Sequence, residues 1–219
     1  MEVGSELLND KRIWNRGRRY LIKKDKVMAN IVRNVGPIAF EIDGSGYYES
    51  LVESILFQQL AGSAARAILK KFKGLYNGRI PTPKEYLRTS EKRLRSAGIS
   101  PQKYGYIKDL CERINDGRLK LEGVEMMSDE EVVTMLDEVK GIGRWTAEMF
   151  LLFSLGRVDV LPMDDLGFRK GIRAAYRLKE MPERKDMEKL SSKWRPYGSI
   201  ATLYLWRGLD SAAKGKEGK

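Results

Sequence analysis

Two adjacent carboxylates, Asp164 and Asp165, stand between a proline and the start of a new helical pattern in the segment DVLPMDDLGFR (159–169). Upstream, VKGIGRWTA (139–147) places a Gly-x-Gly turn, Gly141, Ile142 and Gly143, between two apolar-periodic stretches. Past such a turn the backbone N–H groups of the next helix start face outward with no large side chain in the way, which suits a phosphate. A phosphate anchor and a positioned carboxylate are what an enzyme acting on a nucleotide's sugar needs. Each feature alone has an ordinary explanation. Most Gly-x-Gly turns are only turns, and an Asp between Pro and a helix is most often an N-cap.

The remaining composition narrows the chemistry. There is no histidine, which removes His general bases, Ser-His triads and His-ligated metals. The one cysteine, Cys111, excludes internal disulfides and four-cysteine zinc or iron–sulfur sites, and its amphipathic surroundings predict a small buried hydrophobe. Catalysis therefore falls to carboxylates, Lys, Tyr, Ser, Thr or a recruited metal. The formal charge of +11, from 41 Lys and Arg against 30 Asp and Glu, favours a polyanionic partner that is bound through release of counterions.

The 219 residues, 42% hydrophobic, suit one large domain or two intimate subdomains. The chain has no long apolar run of membrane-spanning type, and MEVGSELLNDKRIW lacks the apolar core of a signal peptide. The expectation is a soluble intracellular protein with no membrane partner, in the cytoplasm or nucleoid of a prokaryote or the nucleus of a eukaryote.

The elements that must carry these residues read as helices almost throughout. Apolar residues recur at three- and four-residue spacing. The pattern predicts helices over 26–34, 46–59, 63–73, 83–88, 91–96, 101–115, 129–137, 144–155, 165–176, 183–193 and 197–209. Thr82, Pro83 and Glu85 fit an N-cap, an N1 proline and an N3 acid; Ser100 with Pro101 repeats the first two, and Ser128 with Glu131 makes a capping box. Asp164 reads as the cap of the 165–176 helix, with Asp165 at its first position. Residues 11–26 hold eight Lys or Arg with Trp14 and Tyr20 among them, which reads equally as a nucleic-acid arm or as solvated surface. The last eight residues, AAKGKEGK, are expected to fray.

Taken together, these segments resemble the helix-hairpin-helix DNA glycosylases of base excision repair, in their 3-methyladenine DNA glycosylase II branch. VKGIGRWTA resembles the family's hairpin and DVLPMDDLGFRKG its Gly/Pro-rich stretch with an Asp. LVESILFQQLAGSAARAI (51–68) resembles the helix and minor-groove loop, and LRSAGISPQKYGYI (94–107) and WRPYGSIATLYLWR (194–207) resemble segments of the alkylbase branch. The resemblance implies an all-α fold of two helical subdomains flanking a cleft. One would be a central bundle over 45–160 with the hairpin at 137–147, and the other would combine 1–44 with 161–219. Longer relatives carry an N-terminal β domain, which this chain is not expected to contain.

The resemblance also implies a reaction, hydrolysis of the bond between a damaged base and deoxyribose after the base is flipped from double-stranded DNA. Asp165 matches the catalytic aspartate. Backbone N–H groups around Gly141, Gly143 and Arg144, with Ile142 and Thr146 beside them, match the phosphate grip. The carbonyls of Asp137, Val139 and Ile142 match the seat of a monovalent cation, a sodium or potassium ion; no other cofactor and no iron–sulfur cluster is expected. Trp145 stands where strand-cutting relatives carry a Schiff-base lysine, which implies a monofunctional enzyme. Trp206 matches an aromatic of the alkylbase pocket, with Trp145, Met149 and Tyr204 as further lining. A cationic base such as 3-methyladenine or 7-methylguanine would suit those aromatic faces. Gln58, Gln59 and Leu60 sit where a wedge replaces the flipped base, Gln59 foremost, and Ser63 lies in reach of a phosphate. A monomer is expected. The alternatives are a glycosylase for hypoxanthine, uracil or 1-methyladenine, and a non-catalytic helix-hairpin-helix DNA-binding protein.

Overall fold

The structure, a computed structural model, describes residues 7–217, with side chains through Ser211. Among the described residues it is all-helical, with one isolated antiparallel bridge between Leu7 and Arg157. The chain divides into two compact units, Met1–Ile42 with Leu151–Lys219, and Asp43–Phe150. The second boundary therefore lies earlier than 160, inside a helix. No described helix is long and apolar enough to cross a membrane.

The 43–150 unit contains α3 (Tyr47–Phe57), α4 (Gly62–Gly74), α5 (Pro83–Arg88), α6 (Glu91–Ser96), α7 (Pro101–Asn115) and α8 (Asp129–Asp137), and it ends within α9 (Arg144–Phe153). Helix α7 is its axis, packed by α3, α5 and α6. Its starts follow the sequence signals: Thr82 and Glu85 form a full capping box, Ser128 and Glu131 another, and Ser100 caps α7 ahead of Pro101. Cys111 is buried in this core; the Tyr48 hydroxyl lies 3.3 Å from its sulfur, and burial pushes the thiol up to about 12. It is inert packing, as expected.

The other unit gathers α1 (Lys11–Lys24), α2 (Lys26–Val35), α10 (Leu166–Ala175), α11 (Arg184–Ser191) and α12 (Gly198–Glu217). Helix α12 is packed by α10, α2 and α1. Close approach is enforced by glycines: a Cβ at Gly17 would lie 2.3 Å from Ile200, and one at Gly171 would lie 3.0 Å from Leu205. Asp25 ties the unit together. It is 4% exposed, caps α2 through Val27 N–H, and accepts from Tyr176, from Trp194 Nε1 at 2.8 Å and from Lys193 at 3.1 Å. Burial opposes its charge, yet these donors outweigh burial and hold the carboxyl below its usual value.

Several boundaries differ from the periodicity, each for a local reason. The 11–26 segment is no extended arm: it begins with α1, anchored by buried Ile13, Trp14, Gly17 and Leu21. The 46–59 helix stops at Phe57, because Gln58 is extended (ψ 136) and Gln59 is left-handed (φ 54). The 144–155 helix ends at Phe153, and 183–193 breaks at Ser191 into one 3-10 turn, Ser192–Trp194. The last helix continues from the expected 209 to Glu217, through much of the segment expected to fray; residues 218–219 lie outside the described residues.

Candidate functional site

The hairpin is α8, a six-residue turn (138–143) and α9. Gly141 is left-handed (φ +82), and a Cβ there would lie 2.1 Å from the Tyr106 ring, so both backbone and space require glycine. Gly143 is different. It is exposed, and a Cβ would meet only Asp137 Oδ1, at an ordinary 3.9 Å. Nothing in the fold demands glycine at 143; its lack of a side chain clears the approach to the start of α9.

Side chains of α7 and of the loop after α3 hold this turn from behind. Asp109 accepts the Lys140 N–H at 3.0 Å and Arg113 Nε at 2.9 Å, while Arg113 also reaches Glu138 at 3.2 Å. Burial raises the Asp109 carboxyl, but the backbone and guanidinium donors win and it stays low and charged. Gln58 Nε2 donates to the Gly141 carbonyl at 2.7 Å. Lys103 donates to the Leu56 carbonyl at 2.7 Å, pinning the end of α3; burial lowers its pKa. With Gln58 tied back, the exposed tip is Gln59 and Leu60, the latter 39% exposed. The tip's left-handed, non-glycine Gln59 is a conformation that costs about 1–2 kcal/mol.

Asp165 is built by the other unit. The strand-like stretch before it is zipped to the start of α12: Ser199 N–H donates to Val158 O at 3.0 Å, Ser199 Oγ accepts the Val160 N–H at 2.9 Å, and Thr202 Oγ1 donates to Val160 O at 3.3 Å. Pro162 O then accepts the Asp165 N–H at 3.0 Å. Asp165 itself caps α10, its Oδ1 accepting the Phe168 N–H at 2.5 Å and Trp206 Nε1 at 2.9 Å. Gly167 leaves room for this, since a Cβ there would stand 3.0 Å from both Asp165 Oδ1 and Trp206 Nε1. The expected order of the two carboxylates is thus reversed: Asp165 is the cap, and Asp164 is an exposed residue paired with Arg184 at 3.4 Å. The Pro162 turn and the inward-facing indole select Asp165.

Beside this carboxylate runs an aromatic row. Trp206 stacks on Phe153 (6.1 Å between centroids, 11° between planes), and Phe153 on Phe40 (6.0 Å, 24°). Phe153 is 38% exposed.

Residues 52–196 match the description "HhH-GPD superfamily base excision DNA repair protein". The chain belongs to the HhH-GPD superfamily. It is 40% identical over 162 residues (73% of this chain, 71% of the relative) to DNA-3-methyladenine glycosylase 1 of Schizosaccharomyces pombe. It is 31% identical over 198 residues (89% and 93%) to that organism's alkylbase DNA glycosidase-like protein mag2. Among solved structures, an S. pombe 3-methyladenine DNA glycosylase in complex with abasic DNA superposes with a TM-score of 0.79 at 35% identity, covering 88% of this chain and 95% of that one. The DNA-3-methyladenine glycosidase of Bacillus halodurans gives 0.82 at 32%, covering 95% and 94%.

Within this HhH-GPD chain the expected site residues fall into three groups. Gly141, Gly143 and Arg144 lie at the hairpin turn and the start of α9, Arg144 with its side chain bridged to Glu130 at 2.8 Å; Trp145 is 42% exposed rather than a core aromatic, and Met149 is half-buried. Gln59, Leu60 and Ser63 are exposed around the start of α4. Three residues are placed differently from expectation. Thr146 is 4% exposed, so it packs inward instead of meeting a phosphate. Tyr204 is fully buried and donates its hydroxyl to Gly36 O at 2.9 Å, which makes it core and not pocket lining. Gln58 is consumed by Gly141. Ile142 is buried, its N–H closing a turn onto Val139 O at 3.0 Å; among the described residues no group of three or more carboxylates and cysteines is gathered to hold a metal. The sequence offers no cue for Phe40 or for the Trp206 bond to Asp165. A partial cue exists for Phe153, which follows Trp145 and Met149 at four-residue steps along α9.

Proposed function

We propose that this protein is a monofunctional DNA glycosylase that flips alkylated bases from duplex DNA and hydrolyses their N-glycosidic bonds. The observation that carries the reading is the Asp165 corner: a carboxylate fixed by a backbone N–H and an indole N–H, with a partly exposed aromatic row alongside. Loss of the base leaves positive charge on the sugar, and a prepositioned carboxylate stabilises that charge or aligns the water that completes hydrolysis. The water supplies hydroxyl to the sugar carbon and its proton passes to solvent, while a cationic base departs as the neutral molecule with the bond's electron pair. Alkylated purines such as 3-methyladenine and 7-methylguanine carry positive charge, which aromatic faces such as Trp206 attract by about 0.5–2 kcal/mol. Their bonds are already weakened, so the site needs no strong acid for the leaving group. The names of the S. pombe and B. halodurans relatives support this substrate class.

The remaining roles follow residue by residue. The bare turn at Gly141 and Gly143, with Arg144 opening α9, holds a backbone phosphate. Carbonyls of Asp137, Val139 and Ile142 seat a sodium or potassium ion; Val139 O has already accepted one N–H and keeps a second lone pair for it. Gln59 and Leu60 fill the gap left by the flipped base. Trp145 forms no imine, so the product is an intact abasic site. The test is chromatography of bases released from methylated duplex DNA by the purified protein. Release of 3-methyladenine or 7-methylguanine, with strand breaks only after hot alkali, is the expected result; no release from DNA that the protein still binds would overturn it.

A further inference from the structure

The positive charge of this protein is not on the unit that carries the hairpin. Residues 43–150 hold 17 Lys and Arg against 16 Asp and Glu, a net +1, and the rest of the chain holds 24 against 14, a net +10. Helix α1 alone contributes seven basic residues and no acid. Its buried side is Ile13, Trp14, Gly17 and Leu21, and its exposed side carries Arg12, Arg16, Arg19 and Lys23 at steps of four, three and four, one face of a helix. Like charges at these spacings disfavour the helix, so the row persists against its own local cost.

The surface here is shaped as well as charged. A groove of about 450 Å³ is lined by Arg12, Asn15, Arg16, Arg18, Arg19 and Ile22. Asp10, bonded to Arg12, is an acid at its edge. At 1.5 Å per residue the row steps along the axis by roughly 4.5–6 Å instead of converging on one point. A single phosphate would use one step; a polymer of phosphates would use all of them.

We propose that the exposed face of α1 is a second DNA-binding surface, which holds the phosphate backbone of undamaged duplex independently of sequence. The inference rests on the glycosylase reading for its choice of duplex DNA. On this view the hairpin supplies uncharged backbone donors at the lesion, and α1 supplies most of the counterion release.

The test is binding of a labelled undamaged duplex across a salt series by the full chain, an R12Q/R16Q/R19Q/K23Q variant, and a control that removes four exposed lysines of the other unit, K84Q/K92Q/K108Q/K120Q. Each phosphate contact contributes about 0.9 to the log–log salt slope, so the α1 variant is expected to lose about 3 and the control less than one. Equal losses in both, or none in the α1 variant, would overturn the proposal. Because Cys111 is buried, Asn15→Cys gives a single addressable thiol on the same face without removing charge. A photo-crosslinker there is expected to capture the duplex and one at Lys84→Cys is not; the reverse pattern overturns the proposal even if the quadruple variant folds poorly. Base release by the parent with an unchanged α1 slope would reject this surface alone. An α1-dependent slope without base release would keep the surface and reject the glycosylase reading.

Discussion

The hairpin turn and the Asp165 corner solve the same problem with opposite materials. The turn is made of backbone: Gly141 is left-handed, Gly143 is bare, and side chains work from behind, through Asp109 on Lys140 N–H and Gln58 on Gly141 O. The corner is made of side chains: Asp165 is fixed by Trp206 and by its own cap on α10, with Phe153 and Phe40 brought alongside from distant parts of the sequence. A backbone site tolerates almost no change in its own residues and some change in its supports. A side-chain site inverts this, since the carboxylate is indispensable while its neighbours tune it.

That contrast is sharpest at the turn. Gly141→Val combines a left-handed backbone with a clash against Tyr106, and each is costly. Affinity for an abasic-site duplex is expected to fall at least tenfold, with a melting point lowered by several degrees. Gly143→Ala, which the fold accommodates, is expected to lower affinity without moving the melting point. Unchanged affinity in Gly143→Ala would break the backbone-donor account.

At the corner, Trp206→Phe keeps an aromatic against Phe153 and deletes the donor to Asp165. A hydrogen bond to a charged group is worth about 1.5–3 kcal/mol, so single-turnover base release is expected to slow by roughly ten- to a hundredfold with little change in DNA affinity. Equal losses in rate and affinity would mean that the indole serves binding instead.

Stability separates from both sites at Asp25. Its carboxyl lies below the usual value in the folded protein, so its contribution is present above the ordinary carboxylate range and is lost as pH falls through the folded value. Asp25→Asn is expected to cost about 1–3 kcal/mol near neutrality, and its melting point should decline less steeply in acid than the parent's. Parallel melting curves would show that Asp25 is not the group titrating.

The smallest effect belongs to the supports. Gln58→Met keeps the length and removes the donor to Gly141 O, a bond of about 1 kcal/mol. A fewfold loss of affinity is expected, and the base-release rate of bound substrate should hold. A collapse of that rate would return Gln58 to the gap-filling role.

What was legible in the sequence follows the same division. Local features were readable: the Thr82 and Ser128 caps, the α7 start at Ser100, the hairpin glycines and the Asp–Leu–Gly run each depend on residues within one turn of one another. Features made by tertiary contact were not. The resemblance picks out Asp165 over Asp164, but the capping role read as Asp164's belongs to Asp165 through the Pro162 turn and the Trp206 indole. Gln58 has the composition of a wedge and the bonding of a strut. Tyr204 lies two residues before Trp206, about 200° around the helix, so its ring packs near Trp14 in the core. In α1, dense charge masked an amphipathic helix whose apolar positions were present throughout.

The division of labour between the two sites is tested most directly by measuring, on one methylated duplex, both affinity and single-turnover base release for the parent, Asp165→Asn and Gly143→Ala. Asp165→Asn is expected to bind as the parent does and to lose at least a hundredfold in rate, while Gly143→Ala loses affinity and, once saturated, keeps its rate. Base release by Asp165→Asn at the parental rate would contradict the account at its centre.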